Sequence, residues 1–474
     1  LPSHNLLVLS DVHLGSDLVH HAQPDAPARS AQTDQRDAEL VALFDWYREH
    51  PHGGLPWRLV IAGDFVDFVG MSVPIPPSGL HTLPDADEVA HGLGSAEDHT
   101  IYKLRCVARR HAAVFESLAR FVAAGNTLVI VRGNHDVDFH WPSVKDEFVR
   151  QLSMHAVIER GRVEFSPWFY YEEGRVFVEH GHQYDRYCSH EHLLEPVSPR
   201  DPRRSSRSLS DVLLREVVRH TRGLVETGHE RAGILHYVTF GFRLGFSGMT
   251  RLAERFARAV ATLFGMWREH ASEGARRIRA RHEQRMAELA ARLDVKLEAL
   301  RALSSLQRPP VTRSFARLAM TVMLDRLLLA ALGALAVALA FVLAPAWQHA
   351  LAVTCAVCVV LFVASRLLAL ARRDIEPSSE LRERAANVAR LFPAAFVVMG
   401  HTHLPEVRPA GTQATYVNLG AWAEGGEPEA LPVTQTHLVV HDAVDGRPVA
   451  ELRIWDARTG PRRFVSLDPP PSVS

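Results

Sequence analysis

Short apolar runs that stop abruptly at a polar cluster recur along the chain. LLVLSDVH (Leu6–His13), RLVIAGDFVD (Arg58–Asp67), TLVIVRGNHD (Thr127–Asp136), RVFVEHGH (Arg175–His182) and AFVVMGHTH (Ala395–His403) each climb through aliphatic residues and then present Asp, Asn or His. A continuous apolar run of this length reads as a strand buried on both faces, and in open α/β sheets ligands bind at the carboxyl ends of such strands. Between the runs, helices are predicted around Ala31–His50, near His99–Ala124 and after Pro142. Met71–Asp98, rich in Pro, Gly and His, reads as a loop over the strand ends. This alternation predicts a largely parallel sheet covered on both sides.

From about Asp201 the pattern changes. RRSSRS (Arg203–Ser208) opens a stretch rich in Arg, Ala, Leu and Glu that runs to about Arg308 without strand character. Within it Arg251–Leu303 carries apolar residues at helical spacing, among them Leu252, Phe256 and Val260. Tyr237–Trp267 mixes Phe, Trp, Leu and Arg, a pattern that suits either a helix at a membrane surface or one buried against a neighbouring helix.

Two long apolar blocks come next, Leu327–Ala344 and, after the turn containing Trp347 and His349, Ala350–Ser365, which continues past Arg366 to Ala371. Each is about long enough to cross a ~30 Å hydrocarbon core at ~1.5 Å per residue. They predict a two-helix membrane hairpin, with a buried hairpin in a soluble protein or a dimer seam as the competing reading. Arg313, Arg317 and Arg326 precede the blocks and Arg366, Arg372 and Arg373 close them, while the turn has no basic residue. Both ends, and the catalytic part with them, are therefore expected on the cytoplasmic side of an inner or cytoplasmic membrane.

Strands resume at Ala395–Met399, Thr415–Leu419, Thr436–His441 and Val449–Trp455, the last two as a hairpin across DAVDGRP. The membrane section is thus read as an insertion into one domain. Residues 1–200 form its first part, 201–318 an Arg-rich helical insertion, 319–374 the transmembrane hairpin and 375–474 the second part.

Composition changes this picture little. A chain of 474 residues, 47% apolar, can bury a substantial core with additions, and a formal charge of −1 gives no footing for a nucleic-acid partner. Cys106, Cys188, Cys355 and Cys358 are too few and scattered for a disulfide framework, which fits a reducing compartment. Cys355 and Cys358 have redox spacing but lie inside an apolar run, so packing is the expected role. The chain opens directly on the first strand, with no basic region or cleavage site, so secretion is not expected. It begins with Leu1 rather than Met, which leaves the true start open.

The polar clusters carry the chemistry. Asp11 and His13 can be gathered by one loop at a strand end, and Gly63 before Asp64 allows that carboxylate a close approach to a metal. Asn134 offers a neutral oxygen; His180, His401 and His403 offer imidazole nitrogens. Such a mixed set suits Mn²⁺, Fe or Zn²⁺ better than Ca²⁺ or Mg²⁺. His182, Tyr184 and Asp185, just past a ligand strand, are candidates to face substrate.

In that order, D-x-H, G-D-x-x-D, G-N-H-D, H-G-H and G-H-T-H resemble the signature of calcineurin-like metallophosphoesterases, over about Leu6–His182 and Phe392–Trp455. The resemblance implies a four-layer α/β/β/α sandwich, two mixed sheets between helices, interrupted here by the helical region and its hairpin. It implies two divalent metal ions, Mn²⁺ the first choice. Asp11, His13, Asp64 and His403 would hold one, Asp64, Asn134, His180 and His401 the other, with Asp64 as the bridge. A pair of cations clamps phosphate oxygens and makes hydroxide available near neutral pH. His135 would stabilise the transition state or protonate the leaving oxygen, and Asp67 and Asp136 would orient His135 or ligand histidines.

The spacing around DVHLG, GDFVDF and GHTHLP is similar to the UDP-2,3-diacylglucosamine pyrophosphohydrolase branch of that family, with His135 where the branch commonly has Arg and with a much longer helical insertion. The expected function is a membrane-associated phosphoesterase or pyrophosphohydrolase acting on a phosphate-containing substrate, lipid- or nucleotide-linked. A nuclease of the same superfamily and a non-enzymatic metal-binding membrane scaffold are the alternatives. The bilayer is the expected partner, and oligomeric state is left open.

Overall fold

The computed structural model describes residues 4–19, 26–219, 245–322, 324–371, 377–412, 414–422 and 435–464. The five apolar runs become β1 (Asn5–Leu9), β2 (Trp57–Ala62), β3 (Thr127–Val131), β6 (Val176–Glu179) and β7 (Phe396–Met399). Shorter strands complete the set: β4 (Val163–Ser166), β5 (Phe169–Glu172), β8 (Glu406–Ala410), β9 (Ala414–Asn418), β10 (Thr436–Asp442), β11 (Pro448–Ile454) and β12 (Arg462–Arg463). They form a seven-stranded sheet, β12-β11-β10-β1-β2-β3-β4, and a five-stranded sheet, β5-β6-β7-β9-β8.

Alternation along each strand explains why the runs read as uniformly apolar. Leu6, Val8, Val60, Ala62, Val129 and Val131 face Val176, Val178, Val398 and Val417 of the other sheet. The intervening Leu7, Leu9, Leu59, Ile61, Leu128 and Ile130 pack under helices that include Glu97–Arg110, Ala112–Ala123 and Pro142–Ser153. On the far side, Phe177, Val397, Met399 and Tyr416 are covered by Glu273–Leu293, Leu297–Leu306 and Pro377–Leu391. The result is four layers, helices, sheet, sheet, helices. A strand with both faces covered has no position that must be polar.

The expected largely parallel sheet is corrected to two mixed ones. Only β1 to β4 and the trio β6, β7 and β9 are parallel; β10 returns antiparallel beside β1 and carries its hairpin partner β11 outward. Because β10 lies beside β1, and β6 pairs with β7, the chain on either side of the helical insertion builds the same two sheets. The strands that pattern alone misses, β4, β5, β8 and β12, are short. β4 and β8 are partly polar, and β8 sits on a sheet edge, where Pro409 is tolerated.

The helix expected near His99–Ala124 is two, broken at His111 (φ −107°, ψ 36°). There the buried imidazole lies 2.8 Å from the Asp37 carboxylate through Nδ1 and accepts the Gly15 N–H at Nε2, 2.9 Å away. The break is what lets the ring reach the loop that carries His13.

In the insertion, the helix Gly245–Glu269 turns Leu252, Val260 and Leu263 against Leu209, Val212, Val217, Val311 and Leu318, so its apolar stripe is covered by neighbours in part, with Met249 and Phe256 left exposed. Tyr237–Leu244, which share the amphipathic reading, lie outside the described residues.

Leu324–Leu343 and Trp347–Ala371 fold back on each other, with contact close enough at Gly333 that a Cβ there would stand 2.7 Å from Leu361. Small residues at a helix crossing permit that approach. Trp347–Leu367 is long and apolar enough to cross a membrane, with only 6% of its apolar window buried inside the protein; Leu328–Leu343 is a shorter apolar helix. Leu332, Leu335, Phe341, Val359 and Phe362 point outward. So do Cys355 and Cys358, which corrects the expectation that they pack within the protein.

Candidate metal centre

The loops after β1 and β2 continue the parallel pairing beyond the strands, through Val12 N–H to Asp64 O (3.0 Å), Leu14 N–H to Phe65 O (2.9 Å) and Asp67 N–H to Leu14 O (3.0 Å). Holding them together forces unusual backbone. Asp11, His13, Asp64, His401 and His403 all have φ between 52° and 68°, five of the seven described non-glycine residues in the left-handed region. Each such residue costs of order 1–3 kcal/mol, and strain of this kind concentrates where a site must be pre-shaped. Glycines flank the same positions for want of room: a Cβ on Gly63 would lie 2.5 Å from the His180 ring, and one on Gly133 2.1 Å from Asp64 Oδ1.

Asp64 Oδ2 lies 3.1 Å from His180 Nε2 and 3.7 Å from His13 Nε2, spanning the two halves of the site. Asp11 Oδ1 lies 3.1 Å from His403 Nε2 and 3.8 Å from His13 Nε2, while its Oδ2 accepts the His401 N–H at 3.1 Å. The ligand atoms of Asp11, His13 and His403, and those of Asp11, Asp64 and His180, each fall within 4.8 Å of one another.

Whether these residues fit a cation is decided at His180. Its Nδ1–H donates to Ala62 O (2.9 Å), which turns the Nε2 lone pair toward two oxygens, Asp64 Oδ2 and Asn134 Oδ1, the latter at 3.0 Å. Acceptors converging in this way repel unless something positive sits among them. Without a metal a proton does so. Burial alone would lower the His180 pKa, but Asp64 and Asp11 outweigh it and lift it to about 9. Burial likewise works to protonate Asp64, yet His180 and then His135 hold its carboxyl well below the usual range. His13 Nε2 is buried with no hydrogen-bond partner, a second sign that the cluster is built to hold positive charge. The donor set fits divalent metal ions.

His401 stands beside the group, its ring 5.3 Å from that of His180 and its Nε2–H donating to Asp185 Oδ2 at 3.2 Å. Of the candidates to face substrate, Asp185 therefore positions His401. Tyr184 is buried with its hydroxyl on Glu179, and His182 is buried 5.3 Å from the His180 ring.

Asp67 and Asp136 divide the role expected of both. Asp67 Oδ1 accepts from His135 Nδ1 at 2.8 Å and fixes that ring, which meets His13 edge-on with centroids 4.5 Å apart. Asp136 does not orient a histidine. It accepts Phe65 N–H (2.8 Å) and Gly133 N–H (2.6 Å), tying two ligand loops together because its backbone position faces them both. Burial, with Asp64 nearby, raises its pKa to about 7.

Other residues of the site carry no motif signal. Ser10 Oγ donates to Asp11 Oδ2 (2.5 Å), and Asn418 Nδ2 donates to Gly400 O (2.9 Å) and Thr402 Oγ1 (3.0 Å), clamping the G-H-T-H loop. Lys103, buried beneath the G-D-x-x-D loop, donates to Phe68 O at 2.9 Å. Asn418 at the end of β9 repeats the strand-then-amide grammar and could have been found by it.

Residues 4–233 match the calcineurin-like phosphoesterase family, and the chain carries a domain of that family of metal-dependent phosphoric ester hydrolases. The match takes in the first four motif segments; the G-H-T-H segment lies beyond it and is joined to them by β7 pairing with β6. Comparison with curated proteins gave no match.

Proposed function

We propose that this protein is a membrane-attached phosphoesterase that works with two divalent metal ions, Mn²⁺ first among them, on a lipid- or nucleotide-linked phosphoester or pyrophosphate. The observation that carries the reading is the convergence of Asp64, Asn134 and His180 acceptor atoms on one point. Asp11, His13, Asp64 and His403 would hold one cation, and Asp64, Asn134, His180 and His401 the other. Such a pair polarises a phosphoryl group and activates water near neutral pH.

The remaining work falls to the chain's own side chains. Asp67 fixes His135 through Nδ1, so proton delivery to a leaving oxygen falls to Nε2. Asp136 keeps the loops of Asp64 and Asn134 in register. Asp185 sets the tautomer of His401 by accepting from Nε2, an arrangement that favours ligation through the other nitrogen.

Purified protein with added Mn²⁺ is expected to hydrolyse p-nitrophenyl phosphate or bis(p-nitrophenyl) phosphate, to lose that activity to a chelator and to regain it with excess metal. A metal-loaded screen over nucleotide diphosphates, phospholipids and single-stranded DNA would then rank substrates. No phosphate release from any of them would reject the reading.

Support for membrane attachment comes from the outward-facing apolar residues of the two long helices, and the basic residues flanking both blocks in the sequence favour both ends on the cytoplasmic side. Arg372 and Arg373 lie outside the described residues. At ~1.5 Å per residue the 25 residues of Trp347–Ala371 exceed a ~30 Å core, whereas the apolar helix Leu328–Leu343 is shorter than it. Alkaline carbonate extraction should leave the chain in the membrane pellet. Release of intact protein into the supernatant would reject a spanning hairpin.

A further inference from the structure

The apolar helices are joined to the rest of the insertion by a short helix, Phe315–Thr321. Leu318 and Val322 are buried with Ala259 and Leu263 of the helix Gly245–Glu269, and Leu324, where the first apolar helix begins, packs on the same cluster. This apolar packing fixes the base of the hairpin to the insertion.

At that base lies an open cavity of about 290 Å³, lined by Pro309, Arg313, Ser314 and Arg317. Pockets that hold small ligands begin near ~300 Å³. The lining is rich in donors and contains no acidic residue. Arg313 Nη1 lies 3.2 Å from Glu191 Oε1, but that carboxylate is shared, its Oε2 standing 3.0 Å from His270 Nδ1. Arg317 has no carboxylate within ion-pair distance among the described residues. Ser314 Oγ accepts the Arg317 N–H at 3.5 Å, which leaves its own O–H to donate. Two guanidinium groups and a hydroxyl thus border one space with less than one negative charge to offset them, and a guanidinium fork matches the oxygens of a phosphate.

The surroundings say what kind of phosphate. Arg317 stands seven residues before Leu324. Between the two arginines Phe315 is half exposed, and its ring meets those of Phe264 and Trp267 with centroids 5.5 and 5.1 Å apart. Aromatic and basic residues gather in this way at headgroup level beside the ends of membrane helices. A soluble anion has no use for an apolar rim, whereas a phospholipid combines a phosphate with acyl chains, for which Leu328 and Leu332 of the adjoining helix are exposed.

We propose that Arg313, Ser314 and Arg317 form a site for the headgroup phosphate of an anionic phospholipid, in the cytoplasmic leaflet at the base of the hairpin. This rests on the membrane-attached reading of the apolar helices and goes beyond it by naming the lipid class and the residues that take it. Basic pockets at the cytoplasmic ends of membrane helices are suited to such headgroups.

The test uses the full-length, Mn²⁺-loaded protein in detergent, with binding of phosphatidylglycerol and phosphatidylcholine measured by native mass spectrometry. Wild type is expected to bind phosphatidylglycerol roughly tenfold more tightly than phosphatidylcholine. Arg317→Gln should weaken phosphatidylglycerol binding by about fivefold to tenfold, the size of one arginine's attraction to an anionic headgroup. Arg317→Lys should keep most of it, and Arg313→Gln, which leaves Glu191 to His270, should weaken it as R317Q does. Arg447→Gln removes the same charge from the exposed β10–β11 turn and should change nothing. Turnover of p-nitrophenyl phosphate should be unaltered in R317Q. Equal phosphatidylglycerol binding by wild type and both glutamine variants would overturn the site, as would the absence of any preference over phosphatidylcholine. Displacement of the lipid by an equal concentration of inorganic phosphate would also overturn it, since the cavity would then serve a soluble anion. Carbonate extraction separates this inference from the reading beneath it: a chain that stays in the pellet but shows no headgroup preference defeats the lipid site alone, whereas release into the supernatant defeats both.

Discussion

Asp64→Ala should lower kcat by roughly 10³-fold or more, and Asn134→Ala should come close to it. Asp64 Oδ2 is the atom that spans His180 and His13, and Asn134 Oδ1 is the other oxygen facing His180. A correctly placed metal contributes several kcal/mol of charge stabilisation in a phosphoryl-transfer transition state, and each ~1.4 kcal/mol is a factor of ten in rate. Asp64 also accepts the His135 N–H at 2.8 Å through Oδ1, so its removal loosens the loop that carries the proposed acid. Asp64→Asn separates the two effects: it keeps the volume and an acceptor for that N–H while removing the charge. Kinetics with Mn²⁺ should be read beside metal content by elemental analysis. Full activity in both alanine variants would refute the site, since Asp64 Oδ2 is the oxygen that stands 3.1 Å from His180 Nε2 and 3.7 Å from His13 Nε2.

How much of this is written in the sequence depends on the physical scale of each feature. The five central strands are legible because burial on both faces makes their runs uniformly apolar, and the site is legible because each run ends at a metal-binding type of residue. The strands β4 and β8 are not, since partly polar segments of four or five residues have no periodic signature that separates them from loops. Antiparallel addition of β10 beside β1 is a tertiary choice that local pattern does not encode. His111 illustrates the same limit at residue level. Its place inside an otherwise continuous helical pattern gives no hint of a break, because the cause is its bonds to Asp37 and Gly15, 74 and 96 residues away. Asp136 stands beside His135 in the motif, yet its carboxylate faces backbone N–H groups; motif spacing gives the residue and not the direction of its side chain.

The same distinction makes Gly133→Ala the other informative substitution. Pattern alone treats Gly133 as a turn residue, for which Ala would be a mild change. The geometry says otherwise: the new Cβ would stand 2.1 Å from Asp64 Oδ1 and 2.6 Å from Asp64 N, both inside van der Waals contact. Neither loop can retreat cheaply. Ala62 and Val131 are paired in the β2–β3 register just before the two loops, and Asp136 laces Phe65 N–H to Gly133 N–H just after. The strain must therefore be relieved by turning the Asp64 carboxylate away from His180 and His13 and by shifting the Asp64 backbone with it. Overpacking of this kind costs about 1–3 kcal/mol of stability, and a misplacement near 1 Å at a catalytic group can cost ~10²-fold in rate. G133A should accordingly stay folded with a lowered thermal midpoint while losing about two orders of magnitude in kcat and much of its bound metal. Gly265→Ala, where an added Cβ meets nothing within 4 Å on the helix Gly245–Glu269, is the matched control and should be neutral or slightly stabilising. Wild-type kinetics in G133A would mean that the two loops are not locked in contact, and that Asp64 is placed by something other than the close approach of its neighbour's backbone.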